Sequence, residues 1–286
     1  MEKSTGKKTV LISGAGIAGM ICAILLDKNQ YDVNIIERAD QHRNIGFSIV
    51  LWKAGFHQLK SLLEKNNQKL EEGRDCFMLA GFKFFAGSQL VQLKQIKGRD
   101  YAWSFNRGHL MEILEKVMRQ HLSPKQITFS QSIRHIEYAK ENDFSSIVTF
   151  HDGKKQSYDV VVIAEGASST SRELVAVKER IVSDPYAVRY VWFASPTNLG
   201  SYGALFLTEG QVGVIHPPYT KNLLGFYFDK GTPEEDQAKF EKTIVNLIKQ
   251  PDGNPSVLDI KTSESFELKE VHLDKYYSKN VVFIGD

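Results

Sequence analysis

The sequence is poor in the features that would place it in several large protein classes. It holds two cysteines in 286 residues, Cys22 and Cys76, with no CxxC and no Cys/His ligand spacing. That excludes a disulfide framework and a cysteine-based zinc site, and predicts reduced thiols. No apolar run exceeds Met20–Leu26, far below the about 20 residues that a membrane-spanning helix requires. The opening residues, Met1 to Lys8, run straight into a strand-like segment and leave no room for a signal peptide, so a cytoplasmic protein is expected. Charge of either sign is not in excess: 36 Lys+Arg against 34 Asp+Glu leave +2, which is no electrostatic footprint for nucleic acid. The eight histidines are scattered, none beside Cys or a carboxylate at a metal-ligand spacing. No convincing Ser-His-Asp triad, repeat or low-complexity tract is visible.

What is present reads as a large globular chain. The length exceeds the usual domain of roughly 100–200 residues and predicts two domains or one large α/β unit. Thr9–Ser13 (TVLIS) is a short, continuous apolar run centred on Val10–Ile12, as in a central parallel strand buried on both faces. The turn Gly14-Ala15-Gly16-Ile17-Ala18-Gly19 follows at once. Met20–Leu26 then predicts a helix buried almost all round, and Val33–Ile36 a second strand ending in Glu37-Arg38. Strand, glycine turn, helix and strand make a βαβ unit. Helices are predicted over Ala54–Lys65 and Gly108–Gln120, the latter with Leu110, Ile113, Leu114, Val117 and Met118 on one face. Between them, Cys76 to Leu93 reads as aromatic-rich and less regular.

Strands are expected at Gln126–Phe129, Ser132–Tyr138, Ser146–Phe150 and Tyr158–Ala164, with a hairpin turn at Asp152-Gly153. From Ser183 to Phe228 short β-rich runs alternate with Gly and Pro, suggesting a second domain on an antiparallel sheet. Thr232-Pro233-Glu234-Glu235 has the composition of a helix start, and Val281–Ile284 predicts a last strand before Gly285-Asp286.

Four features could carry chemistry. In the glycine turn, Gly14 permits the tight bend, Gly16 the approach of a pyrophosphate, and Gly19 close packing of helix on strand. Glu37 ends the second strand, where a carboxylate can accept both hydroxyls of an adenosine ribose. An acid there disfavours a 2′-phosphate and so favours FAD or NAD over NADP, a preference that Arg38 softens. Second, Glu165-Gly166 to Arg172 emerges after an apolar strand, at the strand end where open α/β sheets bind ligands. Third, Arg107 opens the later helix. Fourth is the terminal Gly285-Asp286.

In this order the four features resemble the FAD-dependent monooxygenases of the para-hydroxybenzoate hydroxylase type, the group A flavoprotein hydroxylases. The segment Gly46-Phe47-Ser48-Ile49, with Gly55 and Leu59, looks like that family as well. The resemblance implies an α/β fold, a Rossmann-like FAD-binding domain with an inserted antiparallel-sheet substrate domain. The expected boundaries are 1–75, 98–180 and 276–286 for FAD, and 76–97 and 181–275 for substrate. It implies that Gly14, Gly16, Ile17, Ala18, Gly19, Glu37 and Arg38 lie at the ADP half of FAD and that Arg107 contacts the cofactor. Glu165, Gly166, Ser169 and Arg172 would serve the FAD and NAD(P)H pyrophosphates, and Gly285 and Asp286 the ribityl chain.

Implied with it are NAD(P)H and O2 as co-substrates, a flavin C4a-hydroperoxide, and a small aromatic substrate; no catalytic side chain and no metal are required. Residues with the planes and donors to line such a pocket are Arg189, Trp192, Phe193, Tyr202, His216 and Tyr227. Strand alternation would turn about half of them inward. Two departures stand out. Glu165 replaces the family's Asp, and the family continues beyond Gly-Asp with a further helix. The expectation is therefore a chain cut off at the motif, binding FAD weakly, with a non-catalytic remnant as the alternative. A flavin-dependent halogenase is a lesser one, since Val191-Trp192-Phe193 is all that approaches its W-x-W-x-I-P motif. An isoprenoid epoxidase or reductase is another.

Overall fold

The computed structural model describes residues 6–41, 48–86, 89–95, 102–139, 145–175, 177–194, 202–208, 211–216, 222–229 and 259–285. From 179 to 229 and from 259 to 270 the description is of backbone course and register. In chain order the elements are β1 (Lys8–Ser13), α1 (Ile17–Leu25), β2 (Tyr31–Ile36), β3 (Ser48–Trp52), α2 (Lys53–Lys65), β4 (Cys76–Met78), β5 (Gly81–Ala86), β6 (Gln89–Gln95), β7 (Ala102–Asn106) and α3 (Arg107–His121). There follow β8 (Ile127–Thr128), β9 (Ile133–Tyr138), β10 (Ser146–Phe150), β11 (Lys155–Tyr158), β12 (Val160–Ile163), β13 (Glu179–Ala194), β14 (Tyr202–Thr208), β15 (Gln211–His216), β16 (Asn222–Asp229), β17 (Asp259–Leu273), β18 (Tyr277–Ser278) and β19 (Val281–Phe283). The expected helix start at Thr232 lies outside the described residues.

Two compact units divide the chain: one of Met1–Asn44, Met111–Val182 and Lys269–Asp286, the other of Ile45–Leu110 and Ser183–Leu268. The expected cofactor-binding segments 45–75 and 98–110 fall in the second grouping. The first unit is built on a six-stranded sheet in the order β18-β19-β12-β1-β2-β8. Every pairing from β19 to β8 is parallel, and β18 closes the edge as an antiparallel hairpin partner. The apolar run at the start of the chain forms because β1 sits at the centre with both faces covered: Leu11 and Ile12 are fully buried. The antiparallel meander β9–β10–β11 supplies a second apolar layer, in which Ile133, Ile136, Val148 and Phe150 pack with Leu11, Val161, Ile163, Val281 and Phe283. The Asp152-Gly153 turn joins β10 to β11 as expected, with Gly153 at φ +83°.

Asp159 explains why the predicted strand Tyr158–Ala164 is in fact two. Its carboxylate accepts the Thr9 amide at 2.6 Å and the Thr9 hydroxyl at 2.8 Å, turning the chain from the meander into the parallel sheet. Helix α1 is buried on one face, through Gly19, Met20, Ala23 and Ile24, and not all round. Leu25, on the opposite side, is 66% exposed.

The second unit carries a seven-stranded sheet ordered β17-β13-β16-β15-β14-β5-β6, whose described pairings are antiparallel apart from β14 with β5. The stretch expected to be irregular, Cys76 to Leu93, instead contributes β4, β5 and most of β6. Pairing of β5 with distant β14 supplies partners that no local pattern reveals. A smaller sheet, β3-β7-β4, packs under α2, where Phe56 stacks on Trp103 at 4.3 Å between ring centroids. Leu63 and Phe105 are fully buried there.

Candidate cofactor site

The carboxyl ends of β1, β2, β12 and β19 bring together segments far apart in sequence. Strand β1 lies between β2 and β12, so the connections leave it to opposite sides, the position at which open α/β sheets leave a crevice for ligands. The glycine turn fills the end of β1, and each of its glycines has a separate reason. Gly14 adopts φ +105°, and its amide donates to Ile36 O at 2.8 Å. A β-carbon there would press on the Ala164 carbonyl, 2.7 Å from its carbon. A β-carbon on Gly19 would collide with the Gly14 carbonyl oxygen. Around Gly16, by contrast, there is open space to 4 Å.

That open space faces the start of α1. Gly16 is its N-cap, no side chain caps it, and its first turn holds no acidic residue. The first intrahelical bond runs from Met20 N to Gly16 O, so the preceding first-turn amides of Ile17 and Ala18 have no partner within the helix. Uncapped amides and the positive end of the helix dipole suit a pyrophosphate. Glu37 reaches the same turn: Oε2 accepts the Ala15 amide at 2.9 Å and Oε1 the Ala39 amide at 3.0 Å. A carboxylate offers about four acceptor positions, so two remain for ribose hydroxyls. Gly285, at φ +83° after β19, passes so near the helix start that its β-carbon would lie 3.0 Å from that of Ala18. The residues present therefore fit an ADP-type group with its pyrophosphate over α1.

The loop after β12 closes on itself. Glu165 accepts four hydrogen bonds from serines, and Arg172, 8% exposed, donates to Gly166 O at 2.9 Å and Ala167 O at 2.6 Å. Exposed Arg38 donates to Ser168 O at 3.4 Å. In the other unit, Arg107 opens α3, and Asn106 caps that helix by accepting the His109 amide at 3.0 Å. Asp75, 1% exposed, was not singled out by sequence reading. It accepts from the Glu71 amide at 2.8 Å and from Arg74, and pairs with His109 Nε2 at 2.9 Å. Burial works to raise its pKa, but the hydrogen bonds from Arg74, Glu71 and His109 outweigh it and hold the carboxyl at about 2. A buried Asp 34 residues away from its His partner leaves no spacing signal.

Arg189, Trp192, Tyr202, His216 and Tyr227 lie on the seven-stranded sheet. Arg189 stands opposite Phe226, Trp192 and His216 opposite Leu223, Tyr202 opposite Gly81, and Tyr227 opposite Val188 and Val212. Asp286 lies outside the described residues, as do Gly46 and Phe47. Both thiols are free, and burial pushes Cys76 up to about 12. A cleft of about 350 Å³ at the opposite end of the parallel sheet is lined by Lys28 and His121 among others. Burial, and then the Lys28 charge, lower the pKa of His121. No helix among the described residues is long and apolar enough to cross a membrane.

A parallel sheet with a glycine-turn cradle at its central strand defines the Rossmann-like class of dinucleotide-binding folds. Residues 12–53 match the NAD(P)-binding Rossmann-like domain family. Over 97% of its length the chain is 24% identical to the FAD-dependent monooxygenase asL6 of Sarocladium schorii, spanning 73% of that protein. It is 25% identical to the FAD-dependent urate hydroxylase of Mycolicibacterium vanbaalenii over 79% of the chain and 58% of that enzyme. A 2-heptyl-3-hydroxy-4(1H)-quinolone synthase of Pseudomonas aeruginosa is 31% identical over 58% of the chain and 42% of the relative. In fold, 98% of the chain matches 75% of 2-methyl-3-hydroxypyridine-5-carboxylic acid oxygenase with a TM-score of 0.76 at 17% identity. It matches p-nitrophenol 4-monooxygenase PnpA of Pseudomonas putida with a TM-score of 0.77 at 13% identity, covering 100% of this chain and 73% of that one. In sequence the chain is similar to FAD-dependent monooxygenases, and in fold it matches their Rossmann-like architecture.

Proposed function

We propose that this chain is part of a monooxygenase that uses FAD, NAD(P)H and O2 to hydroxylate a small aromatic molecule in the cytoplasm. The observation carrying the reading is the meeting of the glycine turn, Glu37 and Gly285 around the uncapped start of α1. When bound, FAD would supply the redox chemistry of an NAD(P)H- and O2-dependent hydroxylation.

The chain's own residues bind and orient. The amides of Ile17 and Ala18 hold the pyrophosphate, Gly14, Gly16 and Gly19 let the backbone come close, and Glu37 accepts the ribose hydroxyls. Arg38 flanks them, Gly285 borders the ribityl chain, and Gly166, Ser169 and Arg172 serve the FAD and NAD(P)H pyrophosphates. The first unit is the FAD-binding domain. Within the second unit, the resemblance assigns Arg107 to the cofactor and Arg189, Trp192, Tyr202, His216 and Tyr227 to the substrate. An aromatic substrate is supported by the relatives' own names: urate hydroxylase, hispidin-3-hydroxylase and p-nitrophenol 4-monooxygenase.

The test is FAD titration of the purified chain followed by NAD(P)H oxidation with a panel of phenols and N-heteroaromatics. Saturable flavin binding and a product heavier by one oxygen, labelled from 18O2, support the reading. Absence of flavin binding overturns it, and a chlorinated product in halide buffer replaces hydroxylation with halogenation.

A further inference from the structure

Glu165 stands where the resembled family has Asp, and its surroundings show what the extra methylene does. Its Oε1 accepts the Ser13 hydroxyl at 2.5 Å and the Ser171 hydroxyl at 2.7 Å. Its Oε2 accepts the Ser169 hydroxyl at 2.7 Å and the Ser171 amide at 3.2 Å. Four donors fill the about four acceptor positions of a carboxylate, so little capacity is left for a ligand. Three of the four donors come from buried residues: Ser13 is 2% and Ser171 1% exposed. Ser13 is the last residue of β1, directly before Gly14, whereas Ser169 and Ser171 belong to the loop after β12. The Glu165 amide nitrogen also lies 3.1 Å from where a β-carbon on Gly14 would stand.

We propose that Glu165 is a positioning residue: it ties loop 165–172 to the end of β1 and so sets the shape of the dinucleotide cradle without itself touching the nucleotide. The inference rests on the functional reading above and deepens it. An Asp at this position would withdraw the carboxylate by about one C–C bond, roughly 1.5 Å. It could then serve the loop serines or Ser13, but not both. The three serines are this chain's match to the longer acid. Glutamine would keep the reach but turn an N–H₂ toward groups that donate, the Ser171 amide among them, and break the cage from its centre.

The experiment is a double-mutant cycle on the full chain with Ser13→Ala and Glu165→Gln, and with Glu165→Asp as the length test. FAD affinity is read by flavin fluorescence and folding by far-UV circular dichroism and thermal melting without flavin. Each single change is expected to weaken FAD about tenfold in a folded chain, and the double change to weaken it no more than the worse single, because both remove the same bond. Glu165→Asp should weaken FAD as Ser13→Ala does. Ser13→Ala is the mild member of the set and keeps the test open if a Glu165 variant melts below the assay temperature. Additive losses, as for a direct ligand contact, or melting shifts with unchanged FAD affinity, as for a merely structural role, overturn the inference. Wild-type protein that takes up no FAD overturns the functional reading itself, which separates the two failures.

Discussion

A β-carbon on Gly285 would lie 3.0 Å from the β-carbon of Ala18, which joins the final described residue of the chain to the first turn of α1. Gly285 also sits at φ +83°, where a side chain costs roughly 1–2 kcal/mol. Gly285→Val adds steric overlap to that strain. It is expected to lower the melting temperature by several degrees and weaken FAD at least tenfold, checked by thermal melting and fluorescence titration.

Gly16 and Gly19 are expected to separate binding from folding. The space around Gly16 is open, so Gly16→Ala should leave the melting temperature nearly unchanged while its methyl group obstructs the pyrophosphate. Gly19→Ala places its methyl group on the Gly14 carbonyl oxygen and should destabilise by about 1–3 kcal/mol, the range for overpacking. Urea denaturation and FAD titration of both variants check the contrast. Equal melting losses for the two would refute it.

Removing the Glu37 carboxylate has two effects at one site. Glu37→Ala leaves the Ala15 and Ala39 amides without their acceptor and removes the ribose acceptor. FAD affinity is expected to fall tenfold or more, since a hydrogen bond to a charged group is worth about 1.5–3 kcal/mol. AMP competition against bound FAD measures whether the loss lies at the adenosine end.

Asp75 makes a pH prediction whose sign follows from its lowered pKa. Its folded value of about 2 lies below the ordinary 3.8, so it stabilises the folded state above the unfolded value. That contribution, roughly 2 kcal/mol, is lost as pH falls from about 4 toward 2. Asp75→Asn should lower stability at pH 7 by about that amount and flatten its dependence across this window. Urea midpoints at pH 7, 4 and 3 give the comparison.

Much of the first unit was legible because its signals are local. The run at β1 reads as a buried strand because Val10, Leu11 and Ile12 are consecutive apolar residues, and the glycine spacing demands a turn into a helix within six residues. Glu37 was legible from its distance along the chain, since the βαβ unit has nearly fixed dimensions. The hairpin from Cys76 to Leu93 was not, because its pairing partner β14 comes more than a hundred residues later. The strand expected over Tyr158–Ala164 divided for a similar reason: the Asp159 bond to Thr9 is invisible along the chain.

By itself, the order of residues determined the cradle: a buried strand, glycines where a side chain cannot stand, a helix with free amides, and an acid at the next strand's end. Those are consequences of short-range sterics and periodicity, which adjacent residues carry. Only the tertiary structure decided what the later acids do. Glu165 turned inward to Ser13, Ser169 and Ser171, and Asp75 to Arg74 and His109, because a buried carboxylate must find donors wherever the fold brings them. Which donors arrive depends on strand order and loop path, and these are set by packing across the whole chain.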